Sequence, residues 1–292
     1  MIIIRMCGGI GNQMFQYALY KTFELEGKLV KLDLSGSEKN VPYHGGIDIF
    51  DIFGMKASVA TIGEINDFSD NKHDFFNSLR RRVFGRKKSH VIEKEDGNFD
   101  ESVFHVDNVY LDGFWQSEKY FCKYKKHILD QYDFSLTGKL NDILECNDIV
   151  YKILDRNSCT ISIHFRFGDY LKGKNRLIYG NICTEDYYER AIQYFSDKYD
   201  NPVFICFSDN IGMLNKYRDR PNFYIANFSN SDTAWIDMYF MSKCKHNIIA
   251  NSTFSWWGAW LNQNFGKEVI APKRWINTKD MLDVCPDSWI RL

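Results

Sequence analysis

Between residues 159 and 271, short apolar, β-branched runs alternate with helical segments, and few folds accept that pattern. The runs are 159–166, 202–207, 223–226, 247–250 and 269–271; helical stretches occupy 184–199, 232–243 and 254–264, with a shorter one after 210. Thr184 stands where a helix needs an N-cap. Parallel strands need a crossover of a dozen or more residues, and these helices supply it. A parallel sheet wound with helices is therefore expected for this half.

The first half begins in the same way. A strand over 1–6, a helix over 12–26 and a second strand over 28–34 make a βαβ unit, joined through Cys7-Gly-Gly-Ile-Gly-Asn. A dinucleotide fingerprint would use Gly9 and Gly11 as its first glycines and Asp33 as the ribose acid. Met14 occupies the third glycine position, so the fingerprint fails. The glycines still allow close backbone approach and an open helix N-terminus, which suits an anion or a sugar. A tight turn packing helix on sheet accounts for them as well. Residues 35–108 are the least regular; 109–114 reads as a strand, and 117–130 and 141–156 as helices. The seam falls beside the last of these, giving domains 1–155 and 156–292.

Composition narrows the function. A net charge of −1 excludes a whole-protein electrostatic footprint for nucleic acid. Eight cysteines are scattered without a C-x-x-C pair, several within apolar runs, as in a reduced cytoplasmic protein. Only Met1 to Ile4 precede Arg5, too little for a secretory signal, and no run reaches the roughly 18 apolar residues of a spanning helix. Leu79-Arg-Arg-Arg-Val-Phe-Gly-Arg-Lys-Lys carries six cations in ten residues. It reads as a solvated face or as contact with an anionic partner, such as the inner face of a membrane met through residues 80–88.

Four places could carry chemistry. His164 and Arg166 share one side of their strand and Phe165 and Phe167 the other. Arg166 would lie at the strand's carboxyl end, where open α/β sheets bind ligands, and its planar fork suits phosphate oxygens. Pairing with Asp169 to pin the turn is the structural alternative. Ser208-Asp209-Asn210, at another strand end, is a weaker candidate for ribose or phosphate contact. Asp237 sits among Trp235, Ile236, Met238, Tyr239, Phe240 and Met241 on a helix expected to be largely buried, where a carboxylate needs a partner. That partner is either the adjacent N1–H and N2–H₂ donors of guanine or a structural cation. Asn251-Ser-Thr-Phe-Ser opens a helix, and Ser252, Thr253 and Ser255 could cap it or help bind phosphate there. No Asp-x-Asp occurs, and no H-E-x-x-H or Cys/His cluster, so no metal is expected.

Together these motifs resemble the α-1,2-fucosyltransferases of glycosyltransferase family 11. The resemblance rests on residues 8–18, on His164-x-Arg-x-Gly-Asp-Tyr170 and on 250–261; Asp112-Gly-Phe-Trp-Gln-Ser-Glu-Lys-Tyr-Phe and Val269-Ile-Ala-Pro-Lys-Arg-Trp fit it too. It implies a GT-B fold, an α/β architecture of two Rossmann-like domains facing a cleft, the first on the acceptor side and the second binding the donor. It also implies GDP-β-L-fucose as donor, a galactose-containing oligosaccharide or lipid-linked glycan as acceptor, inversion, and no metal. By position in the family motifs, Arg166 holds the β-phosphate, Asp237 and His164 contact guanine, and Ser252, Thr253 and Ser255 hold the diphosphate. Asn12 faces the reacting sugar. Asp169 and Glu185 are candidates for the base that deprotonates the acceptor. Phe167 departs from the family pattern, which reads His-x-Arg-Arg, so a single arginine serves this turn.

Overall fold

The computed structural model describes residues 1–35, 49–70, 75–94, 97–134, 153, 155, 159–227 and 233–292, the side chains of 75–78 and of Asp169 excepted. The chain divides into two compact units, Met1–Asp133 with Leu282–Val284 and Phe134–Met281 with Cys285–Leu292. The helix expected over 141–156, and the 155/156 domain boundary beside it, fall where only Ile153 and Asp155 are described.

The first unit holds β1 (Ile2–Arg5), α1 (Ile10–Leu25), β2 (Val30–Asp33), α2 (Ile49–Phe53), α3 (Ile62–Phe68), α4 (Phe75–Phe84), β3 (His90–Ile92), β4 (Val109–Asp112) and α5 (Lys125–Gln131). Its sheet has the order β2-β1-β4-β3 with every pairing parallel, Ile2 standing beside both Val30 and Val109. Ile2, Ile3 and Ile4 are all fully buried, as in a strand covered on both faces. The helix predicted over 117–130 is instead two short 3₁₀ turns, Glu118–Tyr120 and Cys122–Tyr124, followed by α5. The break falls at Phe121, whose φ is −144°. Tyr120 reaches Phe99 and Trp115, while Phe121 reaches Phe15, so the break lets two adjacent buried rings meet separate neighbours.

The second unit holds β5 (Thr160–Phe165), α6 (Gly173–Tyr179), α7 (Glu185–Lys198), β6 (Val203–Ser208), α8 (Asn215–Arg218), β7 (Phe223–Ile225), α9 (Trp235–Lys243), β8 (His246–Ile248), α10 (Thr253–Trp260), β9 (Val269–Ala271) and β10 (Ile290–Arg291). The order is β10-β9-β8-β5-β6-β7, again parallel throughout. The α/β class with a parallel sheet in each half is thus as the alternation predicts. Thr184 caps α7 by accepting from the Tyr187 N–H at 3.3 Å. Along β5, Ile161, Ile163 and Phe165 join Tyr187, Tyr188, Ala191 and Phe195 of α7 in one apolar cluster. Ser162 turns the other way and accepts from Asn247 Nδ2 at 2.7 Å. Asn247 Nδ2 also donates to the Met241 carbonyl, and Asn247 Oδ1 accepts from Asn262 at 2.8 Å, so this buried polar stripe is satisfied.

No helix among the described residues is long and apolar enough to cross a membrane.

α9 packs against α10 where Gly258 meets Met241: a β-carbon on Gly258 would lie 2.9 Å from Met241 Cβ. Gly258→Ala is expected to destabilise the protein by about 1–3 kcal/mol through overpacking. Gly63→Ala, whose new methyl would meet only Thr61 Oγ1 at 3.8 Å, is expected to be neutral or mildly stabilising. Denaturant unfolding of both variants checks this; equal stabilities would show that the α9–α10 contact is loose.

Candidate active site

The strand orders fix where each sheet can hold a ligand. In the second unit the chain winds outward from β5 through β6 to β7, returns to β8 on the opposite side of β5, and continues to β9 and β10. The winding reverses between β5 and β8, where Ile163 stands beside Ile248. Connections leaving such neighbours diverge to opposite faces and open a crevice at the carboxyl ends. The connection after β5 begins at Arg166 and that after β8 contains Asn251 and Ser252, so two sequence-predicted motifs flank one reversal.

Arg166 pairs with Asp209, Nη1 lying 3.1 Å from Asp209 Oδ2; the side chain of Asp169, the partner in the structural alternative, lies outside the described residues. Asp209 Oδ1 accepts the Phe167 N–H at 2.9 Å. A β-carbon on Gly168 would stand 2.3 Å from Asp209 Oδ2, so only glycine admits the carboxylate there. Both Asp209 oxygens thus take partners in the 166–168 turn. The Arg166 guanidinium lies 5.3 Å from the Tyr170 ring centre, within cation–π range. Tyr170 stacks on Tyr179 at 4.7 Å and its hydroxyl donates to the Asn251 carbonyl at 3.1 Å, tying the two connections together. The Asn251 amide donates to the Tyr179 and Trp275 carbonyls and accepts from the Cys183 thiol. Asp169 lies in the 3₁₀ turn Asp169–Leu171. Glu185 is exposed and paired with Lys216 at 2.6 Å.

Ser252 occupies the N-cap position of α10 with extended backbone but makes no side-chain capping bond. Ser255 is buried and turns its hydroxyl to the Ala250 and Ser252 carbonyls. Thr253 is the first helical residue and half-buried. The amide groups of that first turn have no acceptor within the helix. His164 is 4% exposed, its ring 5.6 Å from Phe254, and its buried Nδ1 has no hydrogen-bond partner. Burial, and secondarily the Arg166 charge, pulls its pKa down to about 3, so the imidazole is neutral at pH 7. Asp237 is half-buried in the first turn of α9, whose Trp235, Ile236, Met238, Phe240 and Met241 are buried, as the apolar pattern predicts.

In the first unit the chain leaves β1 for β2 on one side, crosses to β3 and returns to β4 on the other side of β1. Asn12 Oδ1 accepts from Gln116 Nε2 at 2.9 Å, joining the start of α1 to the connection after β4. Gln13 Nε2 donates to the Gly8 carbonyl at 2.8 Å. Gln16 accepts the Cys7 N–H at 2.9 Å and donates to the Gly113 carbonyl at 3.0 Å. Glu93 Oε2 accepts from the Phe114 and Trp115 N–H groups at 2.6 and 3.1 Å. The glycine this turn requires is Gly8: its φ is +81°, and a β-carbon there would stand 2.7 Å from Asn12 Nδ2. Gly9 is the N-cap of α1 with φ −70°, and Gly11 is buried in its first turn. Asp33, the would-be ribose acid, accepts from the Tyr110 hydroxyl at 2.6 Å. Gln13, Gln16, Glu93 and Gln116 escape sequence reasoning, although two glutamines three apart on a largely apolar helix are a legible signal.

No group of three or more His, Cys, Asp or Glu side chains suited to hold a metal ion occurs among the described residues.

Known proteins resemble the whole chain. The Glycosyl transferase family 11 model matches residues 1–291. An α-1,2-colitosyltransferase of Escherichia coli is 33% identical over all of this chain and 98% of its own length. The O-antigen biosynthesis glycosyltransferase WbnK of Escherichia coli is also 33% identical, over 98% of this chain and 99% of its own. A Homo sapiens galactoside alpha-(1,2)-fucosyltransferase 1 is 27% identical over 37% of this chain and 30% of its own.

The buried neutral His164 makes stability pH-dependent in a calculable direction. Its proton binds near pH 6.5 in the unfolded chain and near 3 in the folded one. Between these values the unfolded state holds more protons, so the contribution is complete above pH 6.5 and is lost as pH falls toward 3. The slope is about 1.4 kcal/mol per pH unit once well below 6.5. Denaturant unfolding at pH 7.5 and pH 5.0 is expected to show a larger loss in the parent than in His164→Gln, by about 2 kcal/mol. Equal losses would mean that His164 is solvated.

Proposed function

The chain belongs to glycosyltransferase family 11, and from that premise we propose that it moves L-fucose from GDP-β-L-fucose to the 2-hydroxyl of a galactose-containing glycan, with inversion and without a metal. The observation that carries this is the pairing of motifs at one reversal of winding: the Arg166 turn and the Asn251–Ser252 turn leave adjacent strands and are tied by the Tyr170–Asn251 hydrogen bond. A cationic fork beside an uncapped helix start is suited to a diphosphate.

The residue roles follow. Negative charge builds on the departing β-phosphate as the fucosyl carbon becomes oxocarbenium-like, and Arg166 and the first turn of α10 stabilise it. Asp209 fixes the fork in advance, so little reorientation is needed as charge develops. Ser252 and Thr253, whose hydroxyls stand at that turn, contact the phosphates; Ser255 braces the turn from beneath. Asp237 accepts the paired N–H donors of guanine, and neutral His164 offers Nδ1 to the same nucleoside. In the first unit, Asn12 presents its amide to the reacting sugar, above a turn shaped by Gly8, Gly9 and Gly11. Asp169 takes the acceptor proton; Glu185, exposed and bound to Lys216, is poorly suited to do so. The acceptor is a lipid-linked glycan, a reading supported by the likeness to WbnK, which is named for O-antigen biosynthesis.

One observation favours a second donor. The full-length relative named for colitose transfer suggests GDP-colitose, and colitose is L-fucose without its 3-hydroxyl. A site that hydrogen-bonds that hydroxyl rejects the deoxy sugar by about 10⁴ or more, whereas an apolar pocket discriminates by only about 10–200-fold. Measuring kcat/KM with both donors against a panel of galactosides, and then the product linkage, decides between them. A strong preference for GDP-fucose with an α-1,2 product is expected, and turnover is expected to survive excess EDTA. Preference for GDP-colitose, another linkage, or loss in EDTA with rescue by Mn²⁺ would each replace the corresponding part of the proposal.

Three variants test the two halves of the donor site. Arg166→Ala is expected to lower kcat by roughly 10²–10³ with a smaller change in KM, because its fork acts chiefly in the transition state, and Arg166→Lys to recover only part of this. Asp237→Ala is expected to weaken GDP binding by about 1.5–3 kcal/mol. Circular dichroism confirms folding first. Parental turnover in folded Arg166→Ala would place the leaving group elsewhere, and parental GDP affinity in Asp237→Ala would place guanine elsewhere.

A further inference from the structure

The basic run of the first unit sorts into two sets. Arg80 pairs with the Asp70 carboxylate, Arg81 Nη1 donates to the Asp70 carbonyl at 2.7 Å, and Lys87 donates its N–H to Asp70 Oδ2 at 2.6 Å and its ammonium to the Asn66 carbonyl at 2.6 Å. These three fold the end of α4 and the following turn around Asp70, through its carboxylate and its backbone carbonyl. Gly85, with φ +74° and its N–H on the Arg81 carbonyl at 2.9 Å, ends the helix there. Arg82, Arg86 and Lys88 are instead exposed.

The apolar residues of the segment lie outward as well. Leu79 is 50% exposed, Val83 64% and Phe84 80%. Leu79, Arg82 and Val83 are three and four residues apart, so they share one side of the helix. That side inverts the usual amphipathic rule: the polar set is turned inward onto Asp70, and the outward set is apolar and cationic. No acidic residue lies between Leu79 and His90. A solvated face would give apolar side chains no reason to project beside three unbalanced cations. A bilayer supplies both complements, acyl chains for the apolar groups and anionic headgroups for the cations.

We propose that the outward side of α4 and the 84–88 turn dock on an anionic phospholipid bilayer, Phe84 and Val83 entering the headgroup–acyl boundary and Arg82, Arg86 and Lys88 meeting lipid phosphates. This is independent of the donor and acceptor assignments. It selects three of the six cations as the lipid-binding set and assigns the other three to folding.

Sedimentation with vesicles of phosphatidylcholine alone, or with phosphatidylglycerol added, tests it on the full chain at low salt. Tighter binding to the anionic vesicles, weakening as salt rises, is expected. Arg82→Gln/Arg86→Gln/Lys88→Gln should weaken it by about 10²-fold, at about fivefold per cation. Val83→Ser/Phe84→Ser should weaken it roughly tenfold or more. Both variants should keep the parental melting temperature, since the residues changed are exposed. Lys172→Gln/Lys174→Gln/Arg176→Gln removes equal charge from exposed positions of the second unit and should leave binding unchanged. Absent or charge-indifferent vesicle binding, or equal loss in both triple variants, overturns the proposal. So does a self-associated parent that Val83→Ser/Phe84→Ser turns to monomer without change in vesicle binding, because the surface would then join copies of this chain.

Discussion

A parallel strand can reach its neighbour only through a crossover, and the direction of successive crossovers decides where a parallel sheet can bind anything. In the second unit the winding reverses once, between β5 and β8; in the first it reverses twice, the chain leaving β1 for β2, crossing to β3 on the far side and returning to β4 beside β1. Every motif that opens a connection at these reversals carries polar side chains, while the strands beneath are apolar enough to be buried. The crevice is thus a consequence of topology, and the residues around it are free to serve chemistry because they are not needed for the core.

That freedom requires irregular backbone to be held still. Both units do this with amides and carboxylates, buried except for the exposed Asp209, that take up N–H and C=O groups no strand or helix can satisfy. Gln13, Gln16 and Glu93 hold the connections after β1 and β4 in the first unit. Asn251 and Asp209 hold those after β5, β6 and β8 in the second. A buried polar group without a partner costs about 1–3 kcal/mol, so the pairings of Gln13, Gln16, Glu93 and Asn251 resist displacement of their loops by that order. Gly8, Gly113 and Gly168, which have no room for a side chain, sit where Asn12, Glu93 and Asp209 approach the backbone.

Electrostatics at the reversal in the second unit follows from the same packing. His164 is kept neutral by burial and by its neighbour, so Arg166 provides the fixed cationic charge at the end of β5. Phe167, where the family pattern has a second arginine, instead stacks on Phe165 at 6.1 Å and closes the apolar cluster beneath. The Arg166 guanidinium is held there by Asp209 and Tyr170.

Local periodicity by itself determined the α/β class, the parallel winding of the second half, the cap at Thr184 and the division of β5 into a polar and an apolar side, because each depends only on residues a few positions apart. The family motifs likewise singled out Arg166, Asn12 and the 251–255 turn. Short strands such as β3 and β10, with three and two residues, contain too little pattern to be seen. Only the tertiary structure decided who partners whom. Asp209 reaches the 166–168 turn across 42 positions, and Gln116 reaches Asn12 across 104. The basic run looked uniform in sequence, and only the position of Asp70 separated its inward cations from its outward ones. Strand order sets these encounters, and strand order is settled by the packing of whole elements, which no short window of sequence records.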